Sequence, residues 1–152
     1  MRKKVSRKNK LIPYLLVFLQ FSGIALIIYT GSFFVRGPVL FMIQILAVIL
    51  GLWSVLVMKL GHFNIIPIPQ EDSVLITKGP YAIIRHPMYS SILLFTLISI
   101  IEDFNTLRLI IFIGLLISLV WKLNYEERLL KIKFHQYSKY QKKSFRILPF
   151  LY

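Results

Sequence analysis

Cysteine is absent from the 152-residue chain. Disulfides, thiolate metal sites, a cysteine nucleophile and palmitoylation are therefore excluded, and nothing follows about the redox compartment. Acidic residues are nearly as scarce, six Asp and Glu against nineteen Lys and Arg, and charged side chains make up only 16% of the chain. An average soluble domain carries about 25%. The histidines His62 and His135 have no partners at metal-ligand spacing, so no metal site is expected. No repeat of fixed period is present. What the sequence does have is apolar surface, with 57% hydrophobic residues and a mean hydropathy of +0.69. A net charge of +13 on a soluble chain would suggest nucleic acid. On a chain this apolar, anionic lipid headgroups are the better partner, and no nucleic acid is expected.

Four apolar runs order the chain. The first, 11–29, follows a basic head with six cations and no acid, and it exceeds the roughly 7–15 residues of a secretory h-region, so it reads as a membrane helix. The second, 39–58, is interrupted only by Gln44, Gly51 and Ser54. At about 1.5 Å per residue it matches a hydrocarbon core of roughly 30 Å. The third, 88–101, is short enough to be either a span or a re-entrant helix. The fourth, 107–123, crosses if Arg108 and Lys122 snorkel from its ends.

The distribution of cations gives the direction. With both termini cytosolic, seventeen of the nineteen Lys and Arg lie in the head, the middle loop and the tail, and only Arg36 and Arg108 lie outside. That asymmetry is what the positive-inside rule expects of four spans. The fold predicted is all-α and polytopic, with about four transmembrane helices and an interfacial cytosolic cofactor pocket. Residues 1–10 are a basic cytosolic head, 11–123 a transmembrane helical domain with a cytosolic loop at 59–87, and 124–152 a basic cytosolic tail that completes the site. The location expected is the plasma (inner) membrane.

Two polar constellations meet the same interface. One is Lys78, Gly79, Pro80 and Tyr81 followed by Arg85, His86, Pro87, Met88 and Tyr89. The other is Tyr125, Glu126, Glu127 and Arg128, just past the fourth run. Each admits a structural reading, with Lys78 and Arg85 as interfacial cations, Tyr81 and Tyr89 as belt aromatics and the glutamates as their ion partners. If Glu126 and Glu127 share a helix, they point about 100° apart, so one faces a site while the other braces a cation. Asn64 reads as a turn cap. The tail from Phe134 reads as docking on headgroups through Phe145, Ile147, Leu148 and Phe150 in preference to folding over the pocket as a lid.

The stretch LITKGPYAIIRHPMYSSILL, a second apolar run, NYEERLL and then FHQYSKYQKKSFRILPF resemble the isoprenylcysteine carboxyl methyltransferase-like and phospholipid methyltransferase-like families of integral membrane enzymes. Their shared signature is an Arg-His-Pro-x-Tyr-x-Gly segment, a hydrophobic hairpin and a Glu-Glu pair. The similarity runs from about residue 59 to the end of the chain. It departs at Ser91, where the signature has Gly.

The resemblance implies an S-adenosylmethionine-dependent methyltransferase acting on a lipid, isoprenoid or other apolar membrane acceptor. It implies Arg85 and Glu127 as catalytic residues, and a cofactor site of Gly79, Tyr81, Arg85, His86, Pro87, Tyr89, Glu126 and Glu127. A planar guanidinium at Arg85 suits the cofactor carboxylate, and a Glu suits its ammonium or ribose. Pro80 and Pro87 are expected to break regular helix and free backbone groups for the pocket. The acceptor is expected to enter sideways between the third and fourth helices, past the small residues Ser90 and Ser91. Two other classes remain open: an NADPH-dependent membrane reductase, since steroid-reductase-like proteins look similar around His-Pro-x-Tyr, and a non-enzymatic scaffold or transporter subunit.

Overall fold

The computed structural model describes residues 11–59 and 74–149. The basic head, His62, Asn64 and Phe150 lie outside the described residues. The protein is an all-α polytopic membrane protein. Its helices are α1 (Leu11–Tyr29), α2 (Pro38–Lys59), α3 (Pro87–Glu102), α4 (Thr106–Lys133) and the short α5 (Tyr137–Gln141). Three of them, α1, α2 and α4, are long and apolar enough to cross a membrane. α3, with sixteen residues, spans about 24 Å.

Side-chain periodicity explains little of the packing, because apolar residues surround every long helix. Such helices bury some side chains on each other and leave the rest to lipid. Phe18, Met42, Leu52 and Trp121 all remain outside. α1 packs along α4 and α2 along α3, whereas α1 and α2, neighbours in sequence, barely touch. The α1–α4 contact is close at Gly23, where a Cβ would lie 3.5 Å from the Leu115 side chain. The shared core comprises Ile27, Tyr89, Leu93, Ile100, Leu115, Leu119, Leu123 and Ile147.

Polar side chains fasten the ends. Gln44, fully buried, accepts from the Val35 amide at 3.1 Å and donates to the Phe33 carbonyl and to Ser99 Oγ, both at 3.1 Å. Glu102 Oε1 accepts from the amides of Arg36 and Gly37 at 2.9 and 3.3 Å, beside the start of α2 where a helix leaves donors unpaired. Asn105 caps α4, its Oδ1 accepting from the Leu107 amide at 2.8 Å.

Three expectations are corrected here. Arg108 and Lys122 do not snorkel, being 1% and 3% exposed. Arg108 turns into the bundle, donating to the carbonyls of Asp103 (2.5 Å) and Ile27 (3.4 Å) and pairing with the Asp103 carboxylate at 3.3 Å, while Lys122 donates to Gln20 Oε1 at 2.6 Å. Internal acceptors replace water, so the side chains have no reason to reach the interface. Pro80 and Pro87 begin helices instead of breaking them, one at the start of the 3-10 turn Gly79–Ala82 and the other at the start of α3. A proline there gives up an amide that the first turn would leave unpaired in any case. Ser91 leaves no room for an acceptor chain. Its Oγ lies where a Cβ on Gly51 of α2 would be, 2.5 Å from that position. Ser90 Oγ donates to the carbonyls of His86 and Ile147 at 3.2 and 2.5 Å.

Candidate functional site

The last turns of α4 carry the chain beyond the apolar run. Its twenty-eight residues measure about 42 Å, more than a hydrocarbon core of roughly 30 Å, so the segment with Glu126 and Glu127 continues as helix past residue 123. Opposite it stands the loop before α3. Gly79 has φ +59, a left-handed conformation that favours glycine, and a Cβ there would press on Val57 at 3.1 Å. The 3-10 turn that follows turns Tyr81 inward, 4% exposed.

After Ile83 the chain leaves the helical turn, and the tail pairs with it through a single parallel bridge between Ile84 and Phe145. The Arg85 amide donates to the Phe145 carbonyl at 2.7 Å, the His86 amide to Arg146 at 3.0 Å, and the Phe145 amide to Ile83 at 2.9 Å. The tail is thus a strap over the Arg85 segment, and the expectation of a headgroup-docked tail is corrected. Ile147 is 5% exposed within the core while Leu148 stays outside. The backbone between the 3-10 turn and α3 has open amides and carbonyls, and the tail satisfies those of Ile83, Arg85 and His86.

Neighbouring glutamates on one helix diverge, and here they do different things. Glu127 is buried inside the protein's own polar network. Arg85 Nε donates to its Oε1 at 2.7 Å, Gln141 Nε2 to its Oε2 at 3.0 Å, and Arg146 lies 3.2 Å from Oε2. Arg85 Nη1 donates to the carbonyls of Gln141, at 3.1 Å, and Ser144. Glu126 faces a cavity of about 310 Å³, within the lower range of small-molecule sites. Its Oε2 accepts from Tyr89 Oη at 2.8 Å. The Tyr89 ring stacks on His86, with centroids 5.2 Å apart and planes 9° apart, and Lys122 Nζ lies 5.2 Å from the same ring centroid.

Of the residues singled out from sequence, Tyr81, Arg85, His86, Tyr89 and Glu126 line the cavity. Gly79, Pro87 and Glu127 do not; they shape the backbone or hold Arg85. The cavity also takes Gln20, Phe21 and Ile24 from α1, Met58 from α2, Met88 and Ile92 from α3, and Lys122 from α4. Sequence reasoning passed over Gln20 and read Lys122 only as a snorkelling cation at a helix end. Each is a strongly polar side chain in or at the end of an apolar helix, a signal for function in its own right. It also passed over Gln141 and Ser144, which carry no pattern of their own.

Buried polar atoms in this wall include Tyr81 Oη, which has no hydrogen-bond partner, and the His86 ring, whose Nε2 lies 3.5 Å from Glu127 Oε1 and Nδ1 3.7 Å from Glu126 Oε2. Such atoms are costly unless something pairs with them. Burial, with Glu126 and then Tyr140 adding to it, pushes the Tyr81 phenol up, so it stays a donor. Burial likewise pushes Tyr140 up to about 12, and its hydroxyl donates to the Tyr81 carbonyl at 2.5 Å. Among the described residues no group of three or more His, Cys, Asp or Glu is arranged to hold a metal ion.

The family model described as phospholipid methyltransferase matches residues 32–137, which include α2, α3, α4 and the whole Arg85–Glu127 pairing. No curated protein matches the chain.

Proposed function

The chain belongs to the phospholipid methyltransferase family and is a membrane methyltransferase, and we propose that its methyl donor is S-adenosylmethionine and its acceptor a membrane-embedded lipid. The observation that carries this reading is the unpaired, buried Tyr81 Oη in a cavity wall that also presents the His86 ring and the Glu126 carboxylate. A ligand with hydroxyls, an ammonium and a carboxylate needs donors and acceptors close together, and these residues offer both.

When bound, S-adenosylmethionine supplies a methyl group on a sulfonium, open to in-line displacement. The protein's part is alignment, which is worth about 7–11 kcal/mol of a barrier without any protein nucleophile. Glu126 has one oxygen engaged by Tyr89 and the other available to an ammonium or a ribose hydroxyl. Tyr81 offers its unpaired hydroxyl, and His86 stands between the two glutamates, its Nδ1 3.7 Å from Glu126 and its Nε2 3.5 Å from Glu127. Arg85 has two of its three nitrogens committed to Glu127 and the tail carbonyls, so Arg85 and Glu127 act mainly by positioning His86, one residue on, and the strap. The apolar side of the cavity, Phe21, Ile24, Met88 and Ile92, suits a lipid chain. We place its route in the cleft between α1 and α2, which barely touch.

The test is calorimetry on the full chain in lipid nanodiscs, titrated with S-adenosylmethionine. Glu126→Ala and Tyr81→Phe are expected to weaken binding about tenfold or more each, the scale of a hydrogen bond involving a charged or buried group. Binding unchanged in both variants, or no binding by the parent, refutes the assignment. Labelled S-adenosylmethionine incubated with a membrane lipid extract should place its label in a lipid fraction.

A further inference from the structure

Lys122 is a charged residue of the cavity that the cofactor reading leaves without a task. It is 3% exposed. Its ammonium has three N–H donors. One goes to Gln20 Oε1 at 2.6 Å, and the charge lies over the Tyr89 ring. Both partners are neutral. Among the described residues no carboxylate stands within 4 Å of it, since Glu126 turns its Oε2 to Tyr89 instead. A buried charge with no carboxylate in direct contact is expensive, and apolar replacement of such a group is often no loss to a fold. The cost makes sense if the counter-ion arrives with a ligand.

Position decides which ligand. Lys122 stands one helical turn before Glu126, about 6 Å further along the axis into the apolar run. Gln20, which holds it, is at the middle of α1, and Phe21, Ile24 and Ile92 line the cavity with them. The polar wall of Tyr81, Arg85 and His86 is supplied instead by the loop before α3. A polar nucleotide-like cofactor matches that wall. The ammonium at the apolar end matches an anion that carries a hydrocarbon chain.

We propose that Lys122, held by Gln20 and Tyr89, binds an oxyanion in the headgroup of the lipid acceptor, a phosphate or a carboxylate. The proposal rests on the methyltransferase reading for the word acceptor, but its test does not need turnover. A headgroup anchored at Lys122 keeps its chain among Phe21, Ile24 and Ile92 and its reactive atom toward Glu126. A purely cationic amphiphile would meet like charge there.

Full chain in maltoside micelles, titrated with three probes, provides the test. Dihexanoyl phosphatidylethanolamine carries a phosphate, dodecanoate a carboxylate, and dodecylamine no anion. At least one of the first two should bind tenfold or more tighter than dodecylamine, and which one it is distinguishes phosphate from carboxylate. Lys122→Met should abolish that preference, Lys122→Arg should keep it, and S-adenosylmethionine affinity should stay within twofold in both. Gln20→Glu leaves Lys122 in place but supplies an internal counter-ion, so it should abolish the preference in a chain with no reason to misfold. The proposal is overturned if dodecylamine binds as tightly as the oxyanions to the parent, or if the preference survives Lys122→Met. It is also overturned if Lys122→Met costs cofactor affinity instead, which would assign the ammonium to the cofactor carboxylate. A parent that shows the oxyanion preference but no affinity for S-adenosylmethionine would keep the Lys122 site and refute the methyl-donor reading.

Discussion

Arg85 and Glu127 are joined by a 2.7 Å bond between Nε and Oε1, with side chains 7% and 4% exposed. Removing one member of such a pair strands the other charge away from water, a loss of about 3–5 kcal/mol, whereas removing both often costs little. The protein adds a complication that can be worked through. Glu127 also accepts from Gln141 and lies against Arg146, and Arg85 also donates to the Gln141 and Ser144 carbonyls. Arg85→Met therefore leaves Glu127 partly paired, while Glu127→Leu leaves Arg85 with carbonyls alone. We expect Glu127→Leu to be the worse of the two, and the double variant to recover about 3 kcal/mol relative to the sum of the singles. Unfolding by denaturant titration in mixed micelles measures the three variants. Limited trypsin digestion supplies an independent reading, because the exposed Lys142 and Lys143 sit in the strap that Arg85 holds. Cleavage there should accelerate in Arg85→Met. Additivity of the two substitutions within about 0.5 kcal/mol would refute the reasoning, since it would mean that neither charge depends on the other.

Other consequences can be checked on the same footing. A Cβ at Gly31 would lie 2.5 Å from the Arg108 guanidinium carbon, so Gly31→Ala should expel a buried arginine and lower stability by about 2 kcal/mol or more by thermal unfolding, while Gly114→Ala, with nothing within 4 Å, should gain up to about 1 kcal/mol. Gln44→Leu should cost about 1–3 kcal/mol in the same assay, because it orphans the Val35 amide and the Phe33 carbonyl at the turn between α1 and α2. Reporter fusions after Tyr152 and within residues 71–73 should both signal the cytosolic side, as the distribution of cations requires; an external signal from either would overturn the four-span topology.

The helices were legible because apolar run length is a property of the chain alone. The run at 11–29 is α1, and those at 39–58 and 88–101 lengthen by only a residue at each end. The divergence of Glu126 and Glu127 was equally legible, since it follows from helical geometry once both sit on α4. What could not be read was partnership across the bundle. Nothing local to Lys122 tells whether it reaches for water or for Gln20, 102 positions away, and nothing local to Ser91 tells that Gly51 fills the space beside it. The strap was illegible for the same reason. Its basic, aromatic sequence suits a membrane surface as well as it suits the open backbone groups of Ile83, Arg85 and His86.

Separating the two glutamates also separates two kinds of demand on the site. A carboxylate that must accept from a ligand needs a free oxygen and a cavity beside it, as Glu126 has. A carboxylate that must hold a strap and an arginine in place needs to be saturated, as Glu127 is with Arg85, Gln141 and Arg146 around it. One residue cannot meet both demands, because each hydrogen bond given to the scaffold is one fewer for the ligand. Two adjacent positions on one helix meet them together, since the 100° between them sends one side chain inward to the loop and strap and the other to the cavity. A pair spaced four apart would put both on one face, and the scaffold and the ligand would then compete for the same carboxylates. The adjacency of the pair, more than its charge, is what lets a helix end serve as both a clamp and a binding wall.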